Sequence, residues 1–302
     1  MLSGFLGSLP GAAAQGIIWG IMAIGVYLTY RILDFADLTV DGSFGTGGAV
    51  LVMCTLNGMN IYVALLLAFA AGCLAGLATG IFHTVFGIPP ILAGILTQLA
   101  LYSVNLDIMG KSNQVISVDK YNLLVSLRFI NKSIIVGLIV TAIIIAVLYW
   151  FFGTELGHSI RATGNNQNMS KANGINTNVN KVIALVLSNG IVALSGALLA
   201  QYQGFADINM GRGAIVIGLA AVIIGEVIFG KIFKNFALRL LSAVIGGVIY
   251  YIVITFVIAV GLPANDLKLF SALVVAVFLG IPYWKNKVVG KKVKRTEGAQ
   301  NA

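Results

Sequence analysis

Charge is what this sequence has least of. Only 10% of its 302 residues are Asp, Glu, Lys or Arg, while 59% are hydrophobic. A soluble domain carries roughly 25% charged residues, so this chain lacks the side chains to cover a water-facing surface. The class expected is therefore an all-α polytopic membrane protein. Cysteine is almost absent too. Cys54 and Cys73 both lie in apolar runs, which excludes a disulfide framework or thiolate metal site and makes them small core residues. The two histidines, His83 and His158, have no partners at metal-ligand spacing. His83 reads as a residue at the membrane interface and His158 as solvated. No Ser-His-Asp or Cys-His arrangement stands out, so no chemistry is expected of the chain itself. Basic residues are missing ahead of the apolar start, so no cleavable leader is expected.

What the chain does have is glycine, 36 residues of it, and long apolar runs. A helix needs about 20 apolar residues to cross the hydrocarbon core. Nine segments qualify: 12–33, 38–56, 61–86, 88–108, 134–152, 182–200, 214–229, 240–262 and 269–284. The second is the weakest, because Asp41 and several glycines interrupt it. With nine spans and an inner C-terminus, thirteen Lys and Arg fall on inner segments and six on outer ones. The positive-inside rule then places the C-terminus in the cytoplasm and the N-terminus outside. The net charge of +9 reads as this anchoring rather than as a nucleic-acid footprint. Residues 285–302 form a basic cytoplasmic tail close to anionic membrane lipid.

A polar interruption occurs twice. "FADLTVDGSF" begins at Phe35 and "FADINMGRGA" at Phe205. At an offset of 170, seven of the 18 positions from Gly20 to Asp37 are identical to their counterparts. The nine-span topology turns the first copy inside and the second outside. Two inverted repeats with broken helices, about 12–133 and 182–284, are a transporter signature. A polar break at membrane depth is tolerated only where it is buried or lines a cavity. The candidate substrate pathway is therefore Asp37, Thr39, Asp41, Gln201, Asp207, Asn209 and Glu226. Asp37 and Asp207 each precede a helix and equally suit N-caps. Asp41 and Glu226 sit inside spans, where an ionisable group needs a cavity or a partner. Arg31, Arg212 and Lys231 are close enough in sequence to pair with them.

Small residues at Gly72, Gly76 and Gly80, and at Ser188, Gly190, Ser195 and Gly196, read as close-packing faces. The run from Gly225 to Lys231 nearly fits a phosphate loop, but Ile232 stands where Ser or Thr is needed and no strand precedes it. Residues 110–132 read as an outer polar loop, and the inner loop 153–181 is the one substantial polar segment facing the cytoplasm. Asn165 or Asn166 caps a helix of roughly two turns around Gln167–Asn173, which Gly174 ends in a left-handed turn. A helix that short needs a partner to hold it.

"GVYLTYRILDFADLTVDGSF", "GHSIRATGNNQNMSKANGIN" and "LSNGIVALSGALLAQYQGFADINMGRGAIVIGLAAVIIGE" resemble bacterial ABC-transporter permeases. The group is that of the branched-chain amino acid and ribose permeases, and the branch is one linked to aromatic amino acid (tryptophan/tyrosine) uptake. The resemblance covers nearly the whole chain. It implies a homodimer, two cytoplasmic ATP-binding subunits that hold ATP and magnesium, and an extracellular substrate-binding lipoprotein. It makes Asn165, Asn166, Gln167, Asn168, Met169, Ser170, Lys171, Ala172, Asn173 and Gly174 the segment that docks on the ATPase. No cofactor is implied on this chain. Two other readings stay open from the residues alone: an ion-coupled carrier using Asp41 and Glu226, and a passive channel.

Overall fold

The computed structural model describes residues 2–118 and 120–260, with isolated positions between 269 and 280. The expected ninth span, 269–284, and the tail 285–302 lie, but for those positions, outside the described residues. Ten helices and two short strands follow in order. They are α1 (Leu2–Tyr27), α2 (Thr39–Leu56), α3 (Ile61–Thr84), α4 (Pro90–Met109), β1 (Asn113–Val115), α5 (Ile130–Phe151), α6 (Glu155–Asn165), α7 (Gln167–Ala172), α8 (Thr177–Gln203), β2 (Phe205–Asp207), α9 (Ala214–Phe229) and α10 (Phe236–Ala259). A π-helical turn, Leu28–Ile32, extends α1. Among the described residues six helices are long and apolar enough to cross a membrane: α1 with its extension, α3, α4, α5, α8 and α10.

Local chemistry sets the ends. Asn60 accepts the Tyr62 N–H to start α3, Pro90 opens α4 at a position that has no N–H to lose, and Asn176 accepts from Asn178 and Val179 to start α8. Gly204, at φ +79°, closes α8 in the left-handed region that a side chain would resist.

α1 and α8 form the centre. Their apolar stretches are 83% and 72% buried, against 33% or less for the other four long helices. α2 and α3 pack on α8, and α9 and α10 pack on α1. Lipid is as apolar as leucine, so such contacts rest on close packing and interhelical hydrogen bonds. A side chain at Gly72 would meet the Asn189 carbonyl, at Gly76 the Leu185 carbonyl, and at Gly47 the Ala193 carbonyl. The packing reading of Gly72, Gly76 and Gly80 holds, with α8 as the partner. Ser188 donates to the Gly25 carbonyl (2.8 Å) and Ser195 to the Ile18 carbonyl (2.7 Å), joining α8 to α1. The outer faces of α3, α4 and α5 keep large apolar side chains exposed, Leu66, Leu74 and Leu99 among them.

The structure adds three features to the loops. Residues 155–165 form an eleven-residue helix where the sequence reading has only loop. Thr154 caps it, and Gly157 packs against the Phe152 backbone. The "FAD" of the second break is an edge strand, with Asp207 opposite Asn113 and Phe205 opposite Val115. His83 is held from both sides, by the Ile88 carbonyl (2.9 Å) and the Lys181 ammonium (3.2 Å). The run 225–231 is the end of α9 and the turn after it, as its missing strand implies.

Gly76→Leu is expected to destabilise the protein by about 1–3 kcal/mol through overpacking against α8. Gly7→Ala, within α1 and with nothing within 4 Å, is expected to lose no stability and to gain up to about 1 kcal/mol. Thermal unfolding of the purified protein in detergent reads both.

Candidate substrate pathway and coupling segment

The first break is tied down by one amide. Asn189 lies in the middle of α8 and is fully buried. Its Nδ2 donates to Asp37 Oδ2 at 2.7 Å and to the Leu185 carbonyl at 3.0 Å, while its Oδ1 accepts from Ser43 at 2.6 Å. Asp37 Oδ1 accepts the Thr39 N–H at 2.9 Å, turning the chain into α2. Asp37 thus closes a side-chain turn just ahead of α2 rather than serving as its N-cap, which is Leu38 without a side-chain cap bond; Asp37 is only 2% exposed. Three hydroxyls fix the same level. Thr39 Oγ1 is 2.6 Å from Thr79 Oγ1, which donates to Thr97 Oγ1 at 2.8 Å. Thr79 stands five residues, about 7.5 Å, before the end of α3, and Thr97 seven residues, about 10 Å, into α4. α2 thus begins inside the bundle rather than at its surface.

Asp41 meets the other break. Its Oδ2 accepts the Gly213 N–H and its Oδ1 the Ile215 N–H, both at 2.9 Å. These are among the free amide donors at the start of α9. Asp41 also lies in the first turn of α2, so one carboxylate faces two helix N-termini, whose partial positive charge stabilises an anion. Sequence proximity suggests Arg212 as the partner of Asp41, but the bonded partners are backbone amides 172 and 174 positions away. The α9 cap is therefore Asp41. Asp207, which the sequence puts in that role, instead accepts the Asn209 N–H in a turn seven residues earlier (2.7 Å).

Beside this junction is a cavity of about 400 Å³ lined by Asp41, Gln98, Tyr102, Asn105, Ile208 and Arg212. Asn105 is 2% exposed, and its Oδ1 has no hydrogen-bond partner among the described residues. The Arg212 guanidinium stands 5.9 Å from the Tyr102 ring centroid. The cavity therefore presents an acid, a cation and an aromatic face, with an unpaired amide oxygen buried in its wall.

The remaining sequence candidates are scattered. Gln201 is buried near the far end of α8, where its Oε1 accepts the Leu124 N–H at 3.0 Å and its Nε2 has no partner among the described residues. Asn209 is exposed. Glu226 pairs with Arg31 at 2.9 Å near the opposite end of the bundle. Thus Thr39 and Asp41 stay with Asp37 at the junction, while Gln201, Asp207, Asn209 and Glu226 do not share one site. The sequence reading passed over Asn189, Gln98, Tyr102 and Asn105. The last three recur at i, i+4 and i+7 on α4, a polar stripe that helical spacing exposes once it is looked for.

α7 has the form the sequence suggested. Asn166 Oδ1 accepts the Met169 N–H at 3.0 Å, and Gly174 follows at φ +76°. Ser170 is buried, while Met169 is 52% exposed and the rest of the helix faces outward. α6 connects it to the bundle. Asn180 of α8 donates to Ser159 (2.7 Å) and Thr163 (2.9 Å) of α6, and Gly164 lies against the Ile32 carbonyl just before the first break.

A broken-helix bundle with a short outward-facing helix calls for comparison with known proteins. The family described as branched-chain amino acid transport system, permease component, matches residues 8–282. The chain belongs to that family. A tyrosine transport system permease protein of Clostridioides difficile is 42% identical over 265 residues, 88% of either chain. A galactofuranose transporter permease protein of Escherichia coli is 28% identical over 84% of this chain and 73% of its own. A chain of the solved PsaBC complex with Fab, from Streptococcus pneumoniae, shares the fold with a TM-score of 0.55 at 16% identity, covering 93% of this chain and 95% of that one. This is a multi-pass membrane protein, the permease component of an ABC importer. The ion-coupled reading of Asp41 and Glu226 finds no support in these relatives.

Replacing Asp41 by Ala leaves the first amides of α9 without acceptors and is expected to lower stability by about 1–2 kcal/mol. Arg212→Gln, at an exposed position, is expected to stay within about 0.5 kcal/mol. Unchanged unfolding of Asp41→Ala would remove the capping role.

Proposed function

We propose that this permease carries a small amino acid, in the first instance an aromatic one, through a path beside the Asp41 junction. The observation that carries the reading is the cavity at the start of α2 and α9. Arg212 suits a carboxylate, the free Asn105 oxygen and Asp41 suit an ammonium group, and Tyr102 offers a ring face. About 400 Å³ lies in the usual range of small-molecule sites. The tyrosine permease at 42% identity points the same way. Asp37, Thr39 and Asp41 belong to this path. Gln201, Asp207, Asn209 and Glu226 are read as its outer and inner borders.

The full architecture we infer has about nine spans in two inverted repeats, 12–133 and 182–284, with 153–181 and the tail 285–302 in the cytoplasm and the N-terminus outside. Support comes from the charge distribution and from the meeting of the two breaks at Asp41. The working unit is a homodimer in the bacterial cytoplasmic membrane. Two separate ATP-binding subunits hold ATP and magnesium and perform the hydrolysis, and an external binding lipoprotein delivers cargo. Closure of the ATP-binding subunits moves residues 165–174. α6 passes the movement to Asn180 and to the chain beside Ile32, and so to Asp37 and Asn189. Such a change needs unequal affinity for the two states, which ATP and the loaded binding protein supply.

The test is uptake of labelled tyrosine by vesicles holding the permease with its ATP-binding subunits and binding protein. Deletion of residues 168–174 is expected to reduce uptake to the level seen without ATP while leaving the permease in the membrane. Undiminished uptake would end the coupling role. Transport of other solutes with none of tyrosine would end the aromatic assignment.

A further inference from the structure

We propose that the cleft between the end of α1, α6 and the start of α10 binds the phosphate headgroup of an acidic phospholipid. The cleft holds about 470 Å³ and is lined by four cations, Arg31, Arg161, Lys234 and Arg239, together with Tyr27 and Phe236. Among the described residues one carboxylate, Glu226, pairs with any of them, and Arg31 takes it. Three positive charges therefore converge with no described acid to neutralise them. Like charges held together repel, so the arrangement favours a bound anion.

The cations are set in place rather than loosely grouped. The Arg161 guanidinium lies 4.2 Å from the Phe236 ring centroid and 5.3 Å from that of Phe152, so aromatic faces hold its plane. Arg239 and Tyr27 both line the cleft. Burial pulls the Arg161 group below its ordinary value, yet a guanidinium stays charged at any physiological pH. Arginine presents paired donors that match phosphate oxygens.

The surroundings select the source of the phosphate. Tyr30 (42%), Ile228 (43%), Ile232 (70%) and Leu238 (38%) are exposed on the segments that frame the cleft. Water would not favour these side chains, whereas acyl chains would cover them. Basic pockets where membrane helices end are a recurrent seat for acidic headgroups. Free phosphate shares the headgroup chemistry but gains nothing from the apolar rim. The cleft adjoins the proposed path at Glu226, the partner of Arg31, and the docking segment at Asn165, but its occupant does not depend on the cargo.

The experiment uses the full-length permease purified in neutral detergent. Phosphatidylglycerol, phosphatidylcholine with the same acyl chains, and inorganic phosphate are titrated separately, with bound lipid read by native mass spectrometry and stability by thermal unfolding. Phosphatidylglycerol is expected to remain bound and raise the unfolding temperature, and the other two to do neither. Arg161→Gln with Arg239→Gln is expected to weaken it about 25-fold, from about fivefold for each charge removed. Lys231→Gln, outside the cleft, is expected to leave it unchanged. Should the double variant fail to fold, high salt on the unaltered protein gives the same answer by releasing the lipid. Equal retention of both lipids would overturn the proposal. So would phosphate acting as strongly as phosphatidylglycerol. A third contrary result is lipid binding that survives the substitutions while recovery of the ATP-binding subunit with the permease is lost, which would assign the cleft to that protein.

Discussion

The structure depends on satisfying a broken backbone where there is no water. Hydrocarbon offers no hydrogen bonds, so an interrupted helix must find every partner inside the protein. Here the partners are two aspartates and an asparagine. Asn189 holds the chain at Asp37 and Ser43, and Asp41 receives the first amides of α9. Among the described residues neither carboxylate is paired with a cation. Each is balanced by directed N–H donors, and Asp41 also by the positive ends of two helices. One polar level thereby replaces what would otherwise be two helix ends with unmet donors.

Close packing makes that level reachable. α8 supplies Asn189, yet α8 touches α2 and α3 only because Gly47, Gly72, Gly76 and Gly196 carry no side chain at the contact. Hydroxyls add directed links at the same places, through Ser188, Ser195 and the Thr39–Thr79–Thr97 chain. The small residues and the polar junction are parts of one arrangement. From it, α6 offers a mechanical route outward, since it touches both α8 and the chain just before the first break.

Much of this was readable in advance wherever the determining chemistry is local. Hydropathy located eight described helices to within about five residues at most ends, α1 starting earlier, and six of the eight are long and apolar enough to cross a membrane. Asn166 and Gly174 located α7, since a cap and a left-handed stop are written in adjacent residues. The chain's family was legible in three motifs. What could not be read was non-local. Nothing near Gly213 announces that its acceptor is Asp41, so Asp207 took the role on paper. α6 was passed over because a short amphipathic helix surrounded by polar residues looks like loop. The Gln98–Tyr102–Asn105 stripe was hidden by the overall apolarity of α4.

The central claim is that Asp37 and Asn189 exist for each other inside the bundle. A double-mutant cycle tests it most directly, with denaturant unfolding of Asp37→Leu, Asn189→Leu and the pair in detergent. Removing one partner strands the other, while removing both strands neither. The account predicts that the double variant is no less stable than the worse single variant, a coupling of about 1–3 kcal/mol. Losses that simply add would contradict it.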